Sequence, residues 1–394
     1  MPGPTIDLPR RPRPVIPLRF TLACFLALAG MASPRAARAE DQPAAGPATV
    51  LSSYGEVNFN RPRSARQAQA DLRRFVLGLE HRFDEQTRMA AEVEVEHAVS
   101  SADDPGEVEI EQAYVERAFG SAWSGRAGLF LIPLGLLNEN HEPTAYYGVE
   151  RNFVETAIIP TTWREGGLQA TVRFGPGIAL QGGLTTGFDL SKWDAASAQG
   201  RDSPLGSVHQ ELALARARDP AGHLALDWRG VPGLRIGAAG FAGNGSQGQP
   251  GKPRALVAIW DVHARWTPGR FDLAALYARG TIGDTATLNA PLVGQATLLP
   301  AAFDGWYVQA AARAWSSGDL VLSPFARYER FDTGRSYADL GPGLTPAPLP
   351  AQDVLTAGAN FTLARGEVVL KADVQSFPQD HHRDRLDLGL GWSF

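Results

Sequence analysis

Three glutamates stand at every second position of one short stretch, Glu92, Glu94 and Glu96, and two more, Glu109 and Glu111, repeat the spacing a segment later. In an extended chain residues i and i+2 share a face, so each group lines one side of a strand. Arg74, Glu80, Arg82, Arg88, Arg126 and Arg173 fall on the polar faces of nearby segments, within reach of carboxylates across strands. Such opposed charges can stabilise a wall, or set a transverse field across a water-filled passage. The spacing admits both.

A second cluster lies within residues 133–161. His141, Glu142, Tyr147, Glu150, Arg151 and Glu155 are interleaved there with Leu134, Leu136, Leu137, Tyr146, Phe153, Ile158 and Ile159. A connection this apolar needs cover, which a solvated loop does not provide. Folded inward it would narrow the passage and make those six polar residues candidate constriction groups. Folded outward it would pack on a neighbouring subunit.

Catalytic and metal-binding patterns are missing. The chain has no His-Glu-x-x-His, no Gly-x-Ser-x-Gly and no phosphate loop ending in Gly-Lys-Ser/Thr. Gly237, Gly240, Gly243 and Gly245 lack a closing basic residue and a following helix. His381-His382 lies between Pro378, Asp380 and Asp384, the composition of a solvated hairpin loop. No cofactor, metal or catalytic residue is expected, and no enzyme.

The positioning elements read as strands. Phe75, Leu77, Leu79 and Phe83 alternate with Arg74, Gly78, Glu80 and Arg82, and the pattern recurs at Met89–Val95, Leu168–Phe174, Trp260–Trp266, Val368–Val374 and Leu386–Phe394. Around Glu109–Glu111 the phase breaks: Val108 and Ile110 fall opposite Ala113 and Val115, which implies a bulge. The segments are about ten residues long, enough for a tilted strand to cross a bilayer. Connections alternate. Tight turns fall at 84–86, 175–177, 230–233, 268–269, 316–319 and 364–366, and longer pieces at 60–71, 133–161, 187–222, 243–253, 283–302 and 333–352. This predicts an all-β fold, a transmembrane antiparallel β-barrel of about sixteen strands with an inward-folded constriction loop. Turns would face the periplasm and loops the exterior. A secreted sandwich or propeller would have to fill its interior with apolar side chains, and here one face of many strands is charged.

The N-terminus carries Arg10, Arg11, Arg13 and Arg19 before an apolar run, Phe20–Ala29, and then Ala37-Arg38-Ala39. Residues 1–39 read as a cleaved secretory signal, 40–49 as a flexible periplasmic leader, and 50–394 as the barrel. The 394-residue chain has 37 basic and 42 acidic residues. Removing the signal's six arginines and one aspartate leaves 31 and 41, a balance of −10. Such a chain offers no basic surface to nucleic acid. The only cysteine, Cys24, falls in the signal, so disulfides and thiolate metal sites are excluded from the exported form.

Several strings carry a resemblance. His141-Glu142-Pro143, Tyr147-Gly148-Val149-Glu150-Arg151 and Ile159-Pro160-Thr161-Thr162-Trp163 resemble the phosphate-selective porin O/P-like family of bacterial outer-membrane porins. So do Ser53–Val57, Glu109–Tyr114, Ser323–Glu329 and Leu370–Asp373. The ending Leu388–Phe394 is similar to the C-terminal signal that barrels present to their assembly machinery. The resemblance implies a sixteen-stranded barrel in the outer-membrane lipid, commonly a homotrimer, conducting small solutes passively. Phosphate-selective members are understood to use arginines and lysines in sequence. This chain has three lysines, Lys192, Lys252 and Lys371, and none in 133–161. Its residues fit a weakly selective or cation-preferring channel better than an anion path. A receptor or adhesin acting through the long outer loops is the alternative of a different class.

Overall fold

The computed structural model describes residues 48–63, 68–101 and 103–394. The stretch read as a signal peptide, and nearly all of the leader, lie outside them. Sixteen strands make one antiparallel sheet: β1 (Ala48–Pro62), β2 (Gln69–Arg82), β3 (Thr87–Glu96), β4 (Val108–Ala118), β5 (Trp123–Leu131), β6 (Arg164–Phe174), β7 (Ile178–Thr185) and β8 (Ala221–Trp228) in the first half. The second half holds β9 (Leu234–Asn244), β10 (Leu256–Trp266), β11 (Phe271–Ile282), β12 (Ala302–Ala312), β13 (Leu320–Ser336), β14 (Gln352–Leu363), β15 (Val368–Ser376) and β16 (Arg385–Ser393). After a break at Arg313-Ala314, Trp315–Ser317 pairs with β13 and prolongs the ladder that β12 makes with it.

Each strand pairs with its sequence neighbours, and β1 pairs with β16 from Tyr54↔Ser393 to Pro62↔Arg385. Ser53 N donates to Phe394 O at 3.0 Å and Phe394 N to Ser53 O at 2.9 Å, which closes the seam. A closed ring has no edge strand and leaves no ladder group to be desolvated unpaired. Tight turns and long connections alternate as expected. Two connections are shorter than expected, because β1 stays paired to Pro62 and β13 to Ser336. Both strands run past the apolar band toward the loop rim.

Period-two alternation becomes inside against outside. Leu77 is 54% exposed while Arg74, on the same strand, is 1% exposed. Val93, Leu168, Trp260, Val262, Leu370 and Leu388 all project outward. In water this band would be a large aggregation-prone surface; in lipid it is the favourable face. Outward aromatics flank it: Trp123, Phe174, Trp266 and Phe271 near the turns, and Trp260, Tyr277, Trp306 and Tyr328 nearer the loops. The expected bulge is present. Glu92 pairs with Gln112 and Val93 with Ile110, so Glu111 is the extra residue and turns inward beside Glu109.

The interior departs from a uniformly polar wall. From β8 to β14, Ala225, Ala239, Phe241, Ile259, Leu276 and Val354 point inward and are buried in one apolar cluster. Ile132, Leu134, Leu136, Val154, Ile158 and Trp163, from the connection between β5 and β6, complete it. Toward the loops this part of the inner wall is apolar because another part of the chain covers it; toward the turns the same strands carry Asp227, Arg235, His263, Arg265 and Asp272.

If the outer band meets lipid, Val262→Arg is expected to destabilise the barrel by about 2–4 kcal/mol, the cost of a cation near the bilayer midplane. Denaturant unfolding in lipid vesicles measures it, and an unchanged midpoint would place that face elsewhere.

Candidate functional site

The connection between β5 and β6, residues 132–163, holds itself together before it meets the wall. Asn138 is its first knot: Nδ2 donates to Ile132 O and Trp163 O, both at 2.8 Å, while Oδ1 accepts from Trp163 N at 2.8 Å. Glu155 is the second. Its carboxylate accepts from Leu136 N and Leu137 N at 2.7 Å each, from Asn152 Nδ2 at 3.1 Å and from the Tyr307 hydroxyl of β12 at 2.8 Å. Gly135 makes this possible. Its φ is +74°, and a Cβ there would come within 2.4 Å of Glu155 Oε2.

Wall residues then satisfy the segment's backbone. Gly135 N donates to Asp261 of β10 at 3.0 Å, Val149 N to Asp373 of β15 at 2.7 Å, and Phe153 N to Glu329 of β13 at 2.5 Å. Asn360 of β14 donates to Tyr146 O at 3.0 Å, and the Tyr146 hydroxyl donates to Glu56 of β1 at 2.7 Å. These inward carboxylates and amides carried no signal in the sequence beyond polarity at alternate positions. Their role depends on contacts more than a hundred residues apart in most cases. A buried amide N–H without such a partner would be costly, so these side chains hold the irregular backbone in place.

The six residues expected at a constriction divide into two groups. His141 and Glu155, 3% and 4% exposed, are turned into contacts with the wall and the segment itself. His141 Nε2 lies 2.8 Å from the Tyr54 hydroxyl and 3.1 Å from Glu111, while Arg74 donates to His141 O at 2.6 Å. Glu142, Tyr147, Glu150 and Arg151 are half-buried. Glu150 accepts from Asn60 Nδ2 at 2.9 Å, and Arg151 donates to Thr162 Oγ1 at 3.0 Å. Burial pushes the Tyr147 hydroxyl up to about 12, with Asp272 adding to it. Burial, then the nearby Arg74 guanidinium, holds Arg151 below the usual arginine range.

The wall candidates also divide. Arg74 is buried against Glu56 at 2.9 Å, its guanidinium 5.3 Å from the Tyr54 ring centre, and Glu94 and Glu111 are buried beside it. Glu109 binds Arg164 at 2.5 Å. Glu80, Arg88, Glu92, Glu96 and Arg126 stay partly open. Among them Arg88 pairs with Glu80 at 2.5 Å and Glu116 at 2.6 Å, Gln112 donates to Glu92 at 2.6 Å, and Arg126 reaches Glu139 of the connecting segment at 3.1 Å. Arg82 and Arg173 stand at the turn rim, where they line a polar cavity of about 520 Å³ with Glu80, Arg88 and Glu116. Lys371 is buried with its ammonium 3.5 Å from the Tyr146 ring centre. The interior thus has an apolar, occupied part on the loop half of β8–β14, a second charged row of Asp227, Arg235, His263, Arg265 and Asp272 toward the turns of β8–β11, and a polar, charged side on β2–β5. Among the described residues no cluster of His, Cys, Asp and Glu is arranged to hold a metal ion.

A family model described as phosphate-selective porin O and P matches residues 49–314. An uncharacterized protein of Aquifex aeolicus (strain VF5) is 27% identical over 356 residues, covering 86% of this chain and 77% of its own length. Among solved structures the barrel is similar to Salmonella typhi OmpF in complex with daunomycin, at a TM-score of 0.61 and 13% identity, covering 88% of this chain and 97% of that one. It is also similar to the outer membrane channel DcaP of Acinetobacter baumannii (TM-score 0.52, 14% identity, 89% and 98% covered). For Pseudomonas putida OprB at high pH the values are 0.54, 12%, 89% and 94%. At these identities the likeness is one of fold.

Glu155→Ala strips four neutral donors of their acceptor and is expected to cost about 1–3 kcal/mol, as for a buried polar group left unsatisfied. Limited proteolysis with mass spectrometry should then show cuts within 132–163 while the strands stay intact. A variant as resistant as the parent would remove Glu155 from this role.

Proposed function

The chain belongs to the phosphate-selective porin O and P family, an outer-membrane β-barrel channel rather than an enzyme, and on that premise we propose how it selects what passes. Small hydrophilic solutes and ions diffuse passively along the polar side of the lumen, past a constriction made by residues 132–163. The channel is weakly selective and prefers cations. Loops face the exterior and turns the periplasm.

One observation carries the selectivity: the open charges on the polar side are mainly carboxylates. Glu80, Glu92, Glu96, Glu116, Glu139 and Glu142 face it, against the open arginines Arg82, Arg88 and Arg126. An anion entering there meets more carboxylates than guanidiniums, whereas a dehydrated phosphate needs several cationic donors in succession. The lysines do not supply them. Lys371 is stacked on Tyr146, Lys192 donates to His209 O in the connection between β7 and β8, and Lys252 lies in the connection between β9 and β10. The family's name is therefore not taken over as this chain's substrate.

Planar-bilayer recording in a KCl gradient tests both parts. Discrete steps with a cation-favouring reversal potential are expected, and Glu92→Gln with Glu96→Gln should move the permeability ratio toward one. An anion-favouring potential would overturn the selectivity, and absence of steps the channel itself. Replacing residues 139–148 by a short Gly-Ser linker should raise the conductance; unchanged conductance would place the constriction elsewhere.

A further inference from the structure

Near the loop rim the lipid-facing side of β11–β14 carries charges where the rest of the band is apolar. Arg279, Asp304, Arg330 and Asp353 sit on the outward positions of their strands, in register across four neighbours: Arg279↔Asp304 and Arg330↔Asp353, with Trp306↔Arg330 between. Arg335 reaches back to the same site. None of these groups can serve the lumen, because the wall stands between.

The charges are layered. Asp304 accepts from Arg335 at 2.7 and 2.9 Å, from the Tyr277 hydroxyl at 3.1 Å and from Arg279 at 3.4 Å. Asp353 accepts from the Tyr328 hydroxyl at 2.7 Å, from Arg330 at 3.0 and 3.1 Å, and from Gln379. The two acids lie underneath, with side chains 8% and 15% exposed, while Arg279, Arg330 and Arg335 are 35%, 49% and 53% exposed. A third acid, Asp332, accepts from Gly334 N at 3.0 Å. The carboxylates orient the guanidiniums, and the guanidiniums form the outer surface. Just beside them are the tilted ring pairs Trp260–Tyr277 and Trp306–Tyr328, the aromatic level at which a barrel meets the headgroup region.

We propose that Arg279, Arg330 and Arg335 form a binding patch for a phosphate-bearing lipid headgroup of the outer leaflet, with the acyl chains lying along the apolar band below. Guanidinium is the donor suited to bidentate phosphate recognition, and here it is held from beneath by the less exposed Asp304 and Asp353. The site rests on the outward orientation of the loops proposed above, and does not depend on conduction or its selectivity.

Native mass spectrometry of the detergent-purified barrel with diphosphoryl lipid A and its dephosphorylated form is the test, with heat-modifiable migration verifying the fold. The parent should retain the diphosphorylated lipid, and the triple variant R279Q/R330Q/R335Q should bind it about tenfold or more weakly. R117Q, which removes an outward arginine at the turn rim, should leave binding unchanged, and should the triple variant not fold, R330Q alone should still weaken it. Equal binding of the dephosphorylated lipid, unchanged binding in the arginine variants, or displacement by equimolar inorganic phosphate would each overturn the proposal. Conductance recorded on the same samples separates this outcome from the channel reading.

Discussion

Everything in this molecule follows from the rule that a backbone crossing hydrocarbon must satisfy its own hydrogen bonds. Pairing of β1 with β16 satisfies it for the last two edges, and closure divides every strand into an outer and an inner face. The outer face has one task, to be apolar between two aromatic levels. The inner face is released from that demand and can carry charge, or serve as a wall for something packed inside.

Both options are used. On β2–β5 the inner residues are charges, some buried and some accessible; on β8–β14 the loop half is small or aliphatic and lies under the segment between β5 and β6, while the turn half carries Asp227, Arg235, His263, Arg265 and Asp272. The two sides depend on each other. An irregular segment can sit inside a barrel only if its amide groups find acceptors, and Asp261, Glu329 and Asp373 supply them from three strands. Burial of its leucines and isoleucines against Phe241, Ile259 and Leu276 provides the favourable term. On the reading proposed above, the segment leaves the acidic β2–β5 side as the path past the constriction.

Much of this was legible in the residues. Alternation at Phe75–Phe83 and Leu386–Phe394 gave the faces, Gly and Pro turns gave the connectivity, and the phase break at Ile110–Ala113 marked the bulge that the ladder shows at Glu111. The apolar content of 133–161 called for cover. Periodicity did not reveal where the cover lay. Val257 and Ile259 point inward and Trp260 and Val262 outward, and a single strand that is apolar on both sides carries no mark of which side meets lipid and which meets another part of the chain. Nor could spacing show that His141 and Glu155 serve as anchors, since Glu111 and Tyr307 reach them only after folding.

The central claim is that conduction runs along the β2–β5 side, past the segment packed on the apolar part of β8–β14. Its most direct measurement is accessibility under voltage. The only cysteine, Cys24, falls in the stretch read as a signal, so single cysteines can be placed one at a time in the exported chain and treated with a charged thiol reagent during bilayer recording. Cysteines at Glu92, Glu96 and Glu139 are expected to react and reduce the current, while those at Ala239, Leu276 and Val354 stay silent. Rapid block from the second set and none from the first would contradict it.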